Sequence, residues 1–177
     1  MQSLATKYRP KDFSEIVSQT SVIKILERQI ETGNIKNAML FCGASGCGKT
    51  TLARAFANRV NQGVGTPIEI DAASNSGVDN VRAIVKEASE RSLSGKYKIY
   101  ILDECHSFST TGWQAWLKCI EDPPAYTIFI FCTTDPQKIP QTILNRCQRF
   151  NITRISTLDM AARLEYIAKC EGIDVVE

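Results

Sequence analysis

The chain has 177 residues, of which 44% are hydrophobic and 23% charged, and its formal net charge is +2. These values are typical of one globular domain, or of one domain with part of a second. The longest apolar run, Tyr126 to Cys132, is too short to span a membrane. Residues 1–60 carry nine basic and four acidic side chains. That excess is too mild for a domain that binds nucleic acid tightly by itself.

The seven cysteines are scattered along the chain and form no C-x-x-C pair, and only one histidine is present. An odd number of cysteines without such pairs predicts neither a disulfide framework nor a zinc site. We therefore expect a protein of the reducing cytoplasm.

At the N-terminus, Pro10 argues against a helix through residues 6–13, so an extended arm is predicted there. The next element is a predicted helix that ends at Gly33, with Val22, Ile23, Leu26 and Ile30 on one face. A short buried strand follows at residues 38–42, and the chain then enters a glycine-rich turn.

This turn has the spacing of a phosphate-binding loop, G-x-x-x-x-G-K-[ST]. Its predicted nucleotide-binding residues are Gly43, Ala44, Ser45, Gly46, Cys47, Gly48, Lys49, Thr50 and Thr51. In such a loop, backbone N–H groups surround a polyphosphate, the lysine reaches the terminal phosphates, and the Thr50 hydroxyl holds Mg²⁺. Helical spacing of apolar residues after the loop favours this interpretation over an ordinary glycine turn.

A second strand is predicted at residues 67–71, followed by a polar turn and a helix that ends by Gly95. The apolar run at residues 99–102 indicates a strand buried on both faces, and it ends in Asp103 and Glu104. Carboxylates in that position lie at the ligand-binding edge of an α/β sheet. We expect Asp103 to hold Mg²⁺ through water and Glu104 to orient or deprotonate the attacking water. The alternative is a solvated pair of acids, and His106 is assigned no chemistry.

The remaining chain predicts a helix at 110–120 with Trp113 and Trp116 in the core or an interface, a buried strand at 126–132, and a strand at 148–152. A short helix or turn is expected near Arg146, and a last amphipathic helix starts at Thr157 or Asp159 and runs to about Gly172. Together the elements predict an α/β fold, a doubly wound parallel sheet of about five strands.

Several segments, in the same order, resemble the gamma/tau subunits of the bacterial DNA polymerase III clamp loader, which are AAA+ ATPases. The resemblance covers nearly the whole chain. Its segments are Lys7 to Pro10, Gly43 to Thr51, Glu69 to Asp79, Asp103-Glu104, Leu117 to Pro124 and Thr133 to Lys138.

The resemblance implies further roles. Tyr8, Arg9, Pro10 and Val17 match the segment that lies against adenine. Thr134 matches the residue that senses the γ-phosphate, with Thr133 as the alternative, and Arg146 matches an arginine finger that reaches ATP on the adjacent subunit. Without the family context, Arg146 would be interpreted as a surface arginine.

The sequence also departs from the family pattern. Only the polar linker from Asn61 to Thr66 stands where the family has a zinc-binding module, so no zinc is expected. The family's Ser-Arg-Cys is here Asn145-Arg146-Cys147, and its Val-Gly-Gln is Val17-Ser18-Gln19. Residues 1–154 are expected to form the ATPase domain, and residues 155–177 the start of a helical lid.

The predicted function is that of an ATP- and Mg²⁺-dependent motor subunit that opens a sliding clamp and loads it onto primer-template DNA. The expected partners are other clamp-loader subunits, the clamp and primed DNA, with no membrane. One alternative is a scaffold subunit that holds nucleotide without turnover. A second is a helicase fragment, because Asp103 to His106 fit D-E-x-H.

Overall fold

A computed structural model describes residues 3–90 and 94–173. The strands are β1 (Ala38–Cys42), β2 (Ile68–Asp71), β3 (Lys98–Asp103), β4 (Thr127–Thr133) and β5 (Gln148–Asn151). The helices are α1 (Leu4–Lys7), α2 (Thr20–Thr32), α3 (Lys49–Val60), α4 (Val78–Ala88), α5 (Thr110–Glu121), α6 (Gln141–Leu144) and α7 (Thr157–Glu171). One parallel sheet joins the strands in the order β2-β3-β4-β1-β5. The predicted doubly wound α/β fold is confirmed.

The sheet separates two hydrophobic cores because successive side chains of a strand point to opposite faces. On one face, Phe41 and Ile101 pack with Phe56 of α3 and Leu26 of α2. On the other, the core is formed with α4 and α5, and its members include Leu40, Leu102, Phe129, Phe131, Trp113 and Trp116. The two tryptophans are therefore core residues: Trp116 has no exposed surface and contacts Phe129 and Phe131 edge to face.

Local sequence explains where several helices begin and end. Ser109 and Ser156 accept N–H bonds from the first turns of α5 and α7, as serine does at a helix N-terminus. Gly33 and Gly172 follow α2 and α7 with left-handed backbone angles that glycine adopts without strain. The α5 helix ends at Glu121, one residue later than predicted and just before Asp122-Pro123.

Several predicted boundaries differ from the structure. The N-terminal arm is not extended throughout, because Leu4–Lys7 form one helical turn before Pro10, started by the Ser3 hydroxyl. The second strand begins at Ile68 rather than Pro67. The strand β4 runs from 127 to 133, since Tyr126 has a positive φ of 60° and lies outside it. The last strand ends at Asn151 rather than Ile152. The helix expected to end by Gly95 ends at Ala88, and residues 91–93 lie outside the described residues.

Candidate active site

The predicted phosphate loop connects the end of β1 to the start of α3 and lies against the chain beyond β5. A Cβ atom on Gly43 would be 2.4 Å from the carbonyl oxygen of Ile152, so only glycine allows this close approach. Gly48 has a φ of +97°, which a side chain would strain. Gly48 is also the N-terminal cap residue of α3, and because glycine has no side chain, no side-chain hydrogen bond caps this helix. No side chain of the cap residue therefore covers the first N–H groups of α3, and a helix N-terminus of this kind suits an anion.

Lys49 is the first residue of α3, and only 8% of it is exposed. Its Nζ atom donates to the carbonyl oxygens of Gly43 and Ala44, at 2.9 and 3.0 Å. The ammonium group thus lies over the loop itself. This arrangement places a positive charge beside the N–H groups that would contact a phosphate.

The ends of the central strands bring two predicted magnesium ligands together. The hydroxyl of Thr50 donates to Asp103 Oδ1 at 2.9 Å, although the two residues are 53 positions apart. Burial raises the pKa of Asp103, and the hydrogen bond from Thr50 partly opposes that increase. A divalent cation next to Asp103 would favour its ionised form, so the hydroxyl and carboxylate pair fits Mg²⁺ held largely by water and phosphate oxygens.

Glu104 follows β3 in a left-handed backbone conformation, with a φ of 49°. Its Oε2 atom accepts a hydrogen bond from the Thr134 hydroxyl at 3.1 Å and lies 3.3 Å from Nδ1 of His106. The alternative sensor, Thr133, is fully buried, and its hydroxyl contacts His106 Nδ1 and accepts the N–H of Asp135. Of the two threonines, Thr134 is the one that contacts the predicted catalytic carboxylate.

Arg146 is not part of this group of residues. Its guanidinium pairs with Glu121 at 2.7 Å and donates to the carbonyl oxygen of Thr142 at 2.9 Å, on the side of the sheet that carries α5 and α6. The structure therefore brings together Lys49, Thr50, Asp103, Glu104 and Thr134 and leaves Arg146 with other partners.

The predicted adenine-binding segment contacts α7. Tyr8 donates its hydroxyl to Glu171, which also pairs with Lys7, and Arg163 donates to the Tyr8 carbonyl oxygen at 3.1 Å. The hydrogen bond to Glu171 raises the pKa of Tyr8. Arg9 is exposed, whereas Pro10 and Val17 are half-buried.

Sequence reasoning missed a second connection between the arm and the end of the sheet. The side chain of Gln19 donates to the carbonyl oxygen of Thr153 at 2.6 Å and accepts the N–H of the same residue at 3.1 Å. Gln19 and its neighbour Ser18 both have positive φ angles. No local pattern predicts a pairing over 134 residues, although Ser18 stands where the family pattern has glycine.

The described residues contain neither a metal-binding cluster nor a membrane-spanning helix. Within residues 3–90 and 94–173, no three His, Cys, Asp or Glu side chains form a group that could hold a metal ion by themselves. No helix in that part of the chain has the length and apolar character needed to cross a membrane.

Comparisons with known proteins give consistent results. Residues 62–156 match the family model described as DNA polymerase III, delta subunit. The chain is 36% identical to the DNA polymerase III subunit tau of Bacillus subtilis, over 99% of this chain and 35% of that protein. It is also 36% identical to subunit tau of Escherichia coli, over 97% of this chain and 30% of that protein. The chain thus spans about a third of the length of these relatives.

Solved structures support the fold. The chain resembles the Thermotoga maritima RuvB Holliday junction branch migration motor with a TM-score of 0.78, at 20% identity, over 96% of this chain and 56% of that one. A DNA polymerase III gamma subunit-related protein from the same organism matches with a TM-score of 0.61, at 22% identity, over 72% of this chain and 45% of that one. At 20% and 22% identity, these likenesses show that the chain shares the fold of both proteins.

Proposed function

Because this chain belongs to the family of DNA polymerase III subunits, we propose that it is an ATP-hydrolysing motor subunit of a sliding-clamp loader in DNA replication. The observation that carries the proposal is the convergence of Lys49, Thr50, Asp103, Glu104 and Thr134 at one edge of the sheet. A subunit that only held nucleotide would need the phosphate loop but not a carboxylate placed for water activation. Residues 1–154 would be the ATPase domain and residues 155–177 the start of a lid.

The proposed chemistry assigns one task to each group. The loop N–H groups and Lys49 bind the β- and γ-phosphates, while Tyr8, Arg9, Pro10 and Val17 border the adenine. Mg²⁺, held by Thr50 and through water by Asp103, would neutralise charge on the phosphate oxygens.

Glu104 accepts a proton from the attacking water. The water oxygen bonds to the γ-phosphorus as the bond from that phosphorus to the bridging oxygen breaks, which yields ADP and phosphate. The Thr134 hydroxyl contacts a γ-phosphate oxygen.

We expect the site to be completed by a neighbouring subunit. Arg146 has its partners on the α5 and α6 side of the sheet, which favours a role at an interface over a role in its own site. A guanidinium at that place suits charge that spreads over phosphoryl oxygens. The Arg146→Ala change should therefore lower hydrolysis at the adjacent subunit's ATP. If it lowers hydrolysis only at the site of the mutated chain, the interface role is wrong.

One experiment separates the motor from its alternatives. ATP hydrolysis is measured with and without sliding clamp and primed DNA, in complexes that contain the wild-type chain, Lys49→Ala or Glu104→Gln. The motor predicts turnover that clamp and DNA stimulate and that both variants lose by about 100-fold or more. The same weak background in all three samples would contradict the motor and leave the scaffold, whereas ATP-dependent duplex unwinding would indicate the helicase.

A further inference from the structure

His106 lies at the proposed site without a role in the chemistry described so far. It belongs to a single turn of 3-10 helix, Cys105–Ser107, that directly follows Glu104. Its Nδ1 atom is 3.0 Å from Thr133 Oγ1 and 3.3 Å from Glu104 Oε2. It thus joins the end of β4 to the first residue after β3.

The oxygen atoms Thr133 Oγ1 and Glu104 Oε2 determine which ring nitrogen of His106 carries the proton. An ionised carboxylate oxygen only accepts hydrogen bonds, and Thr133 Oγ1 already accepts the N–H of Asp135 at 3.0 Å. A hydrogen on Nδ1 of His106 satisfies both contacts, because it can be shared between Glu104 and Thr133. A bare Nδ1 would face the carboxylate with a lone pair, which is repulsive. The neutral ring therefore carries its proton on Nδ1.

The Glu104 carboxylate depends on the contact with His106 more than a residue within a strand would. Its backbone has left β3 in a left-handed conformation, and 44% of its side chain is exposed, so neither the sheet nor packing fixes the carboxylate. Thr133, in contrast, is fully buried in β4 and does not move independently of the sheet. His106 connects the exposed carboxylate of Glu104 to the buried Thr133.

The second donor to the same carboxylate oxygen is Thr134, and its hydroxyl has another task in the proposed reaction. When it turns to the γ-phosphate, Glu104 loses one of its two donors. We propose that His106 is a positioning residue that keeps Glu104 attached to the end of β4 through Thr133, so that the carboxylate stays in place for water when Thr134 binds the γ-phosphate. This role rests on the proposed ATP hydrolysis.

The surrounding residues make the idea testable by substitution. The 3-10 turn is anchored by Cys105, which is fully buried, and is followed by Phe108, which is 5% exposed. His106 itself retains 19% side-chain exposure. Replacing His106 should therefore leave the fold intact while removing its contacts with Glu104 and Thr133.

The first test uses the fact that the chain contains one histidine. With ¹⁵N-labelled histidine in the full chain, every ring-nitrogen NMR signal belongs to His106. With the ring neutral, we expect the proton on Nδ1, and we expect both nitrogen signals to shift in Glu104→Ala but not in the control Glu165→Ala on α7. A proton on Nε2, or signals that ignore Glu104→Ala, would overturn the proposal without any measurement of turnover.

The second test is kinetic and uses the assembled complex with clamp and primed DNA. His106→Ala should lower kcat by about 10- to 100-fold, since small displacements of a reacting group have effects of this size. Its affinity for Mg·ATP should stay within about twofold of wild type, because no phosphate contact is lost.

His106→Asn should retain most of the activity, because its side-chain N–H can replace the one on Nδ1. In a Glu104→Gln background, His106→Ala should have no further effect. Equal kcat in His106→Ala and wild type, or an equal loss in Asn and Ala variants, overturns the role of His106 alone. Absence of stimulated turnover in the wild type overturns the proposed function instead.

Discussion

Two regions of the molecule are held in place by different forces. One is the sheet edge that carries the phosphate loop, and the other is the α7 helix, which contacts the N-terminal arm. At the sheet edge, β1 and its neighbour β4 are buried along their lengths, and even Lys49 is mostly enclosed. In contrast, α7 has no buried residue, and Leu158 and Leu164 are 83% and 61% exposed. Side-chain contacts from Lys7 and Tyr8 to Glu171 connect α7 to the arm. The first region is fixed by packing and the second by a few polar contacts, which suits a rigid proposed ATP site beside an adjustable segment.

The largest expected effect contrasts packing in the two regions. Trp116→Ala removes a fully buried side chain between Phe129 and Phe131 and should lower the free energy of unfolding by about 3–5 kcal/mol. Leu164→Ala, on α7, should change it by less than about 0.5 kcal/mol. Chemical denaturation measures both. Similar losses would show that α7 packs as tightly as the sheet.

Gly43→Ala tests the tight contact between the loop and the end of β5. The new Cβ atom would meet the Ile152 carbonyl oxygen at 2.4 Å, and the backbone must shift to relieve that contact. We expect a loss of about 1–3 kcal/mol in stability together with weaker ATP binding. The control is Gly77→Ala, where nothing lies within 4 Å of the new atom. Equal thermal unfolding of both variants would contradict the close approach.

Asp103→Asn should separate stability from activity. Because burial raises the pKa of Asp103 in the folded chain, the folded state binds this proton more tightly than the unfolded state does. Folding stability therefore falls as the pH rises through the carboxyl's titration, and the variant avoids that loss.

We expect Asp103→Asn to unfold at a higher temperature than wild type at neutral pH, by an amount that vanishes at acid pH where both side chains are neutral. Hydrolysis should fall by about 100-fold or more, because the proposed magnesium ligand has lost its charge. Thermal scans across pH, with Asp79→Asn on exposed α4 surface as control, measure the first effect. A lower unfolding temperature at neutral pH would contradict the account.

The smallest effect is expected for Glu171→Gln. Hydrogen bonds from Lys7 and then Tyr8 lower the pKa of Glu171, so the contact is present above the ordinary titration range of a glutamate and is lost as the pH falls through the lowered pKa. The variant should unfold at the wild-type temperature, but trypsin should cut faster in the arm. Glu165→Gln on the same helix is the control. Unchanged cleavage would show that another contact holds the arm.

The sequence predicted the sheet edge well because its information is local. Continuous apolar runs identified the buried strands, and the spacing from Gly43 to Thr50 identified the loop, so that Asp103 and Glu104 could be placed at the same edge. The order of the strands does not follow from such patterns. It is this order that brings the end of β4, with Thr133 and Thr134, next to the end of β3.

The polar contacts were less predictable because their partners are distant in sequence. Gln19 binds Thr153 across 134 residues, and Tyr8 binds Glu171 across 163. The helical turn of α1 was also missed, since Pro10 disfavours a helix that runs through it but not one that ends at Lys7. His106 was assigned no chemistry because a lone histidine beside two acids is more often a hydrogen-bonded structural or coupling residue than a catalyst. Its contacts appear only when β4 is placed beside β3.

ATP binding at the sheet edge is the central requirement of the proposed function, and calorimetric titration of the chain with Mg·ATP tests it directly. We predict that the wild-type chain binds ATP and that Lys49→Ala weakens binding by about 10- to 100-fold, the size of a lost hydrogen bond to a charged group. Lys24→Ala, an exposed lysine of α2, should bind as the wild type does. Equal affinity of the Lys49→Ala chain and the wild type would contradict the assignment of this edge as the ATP site.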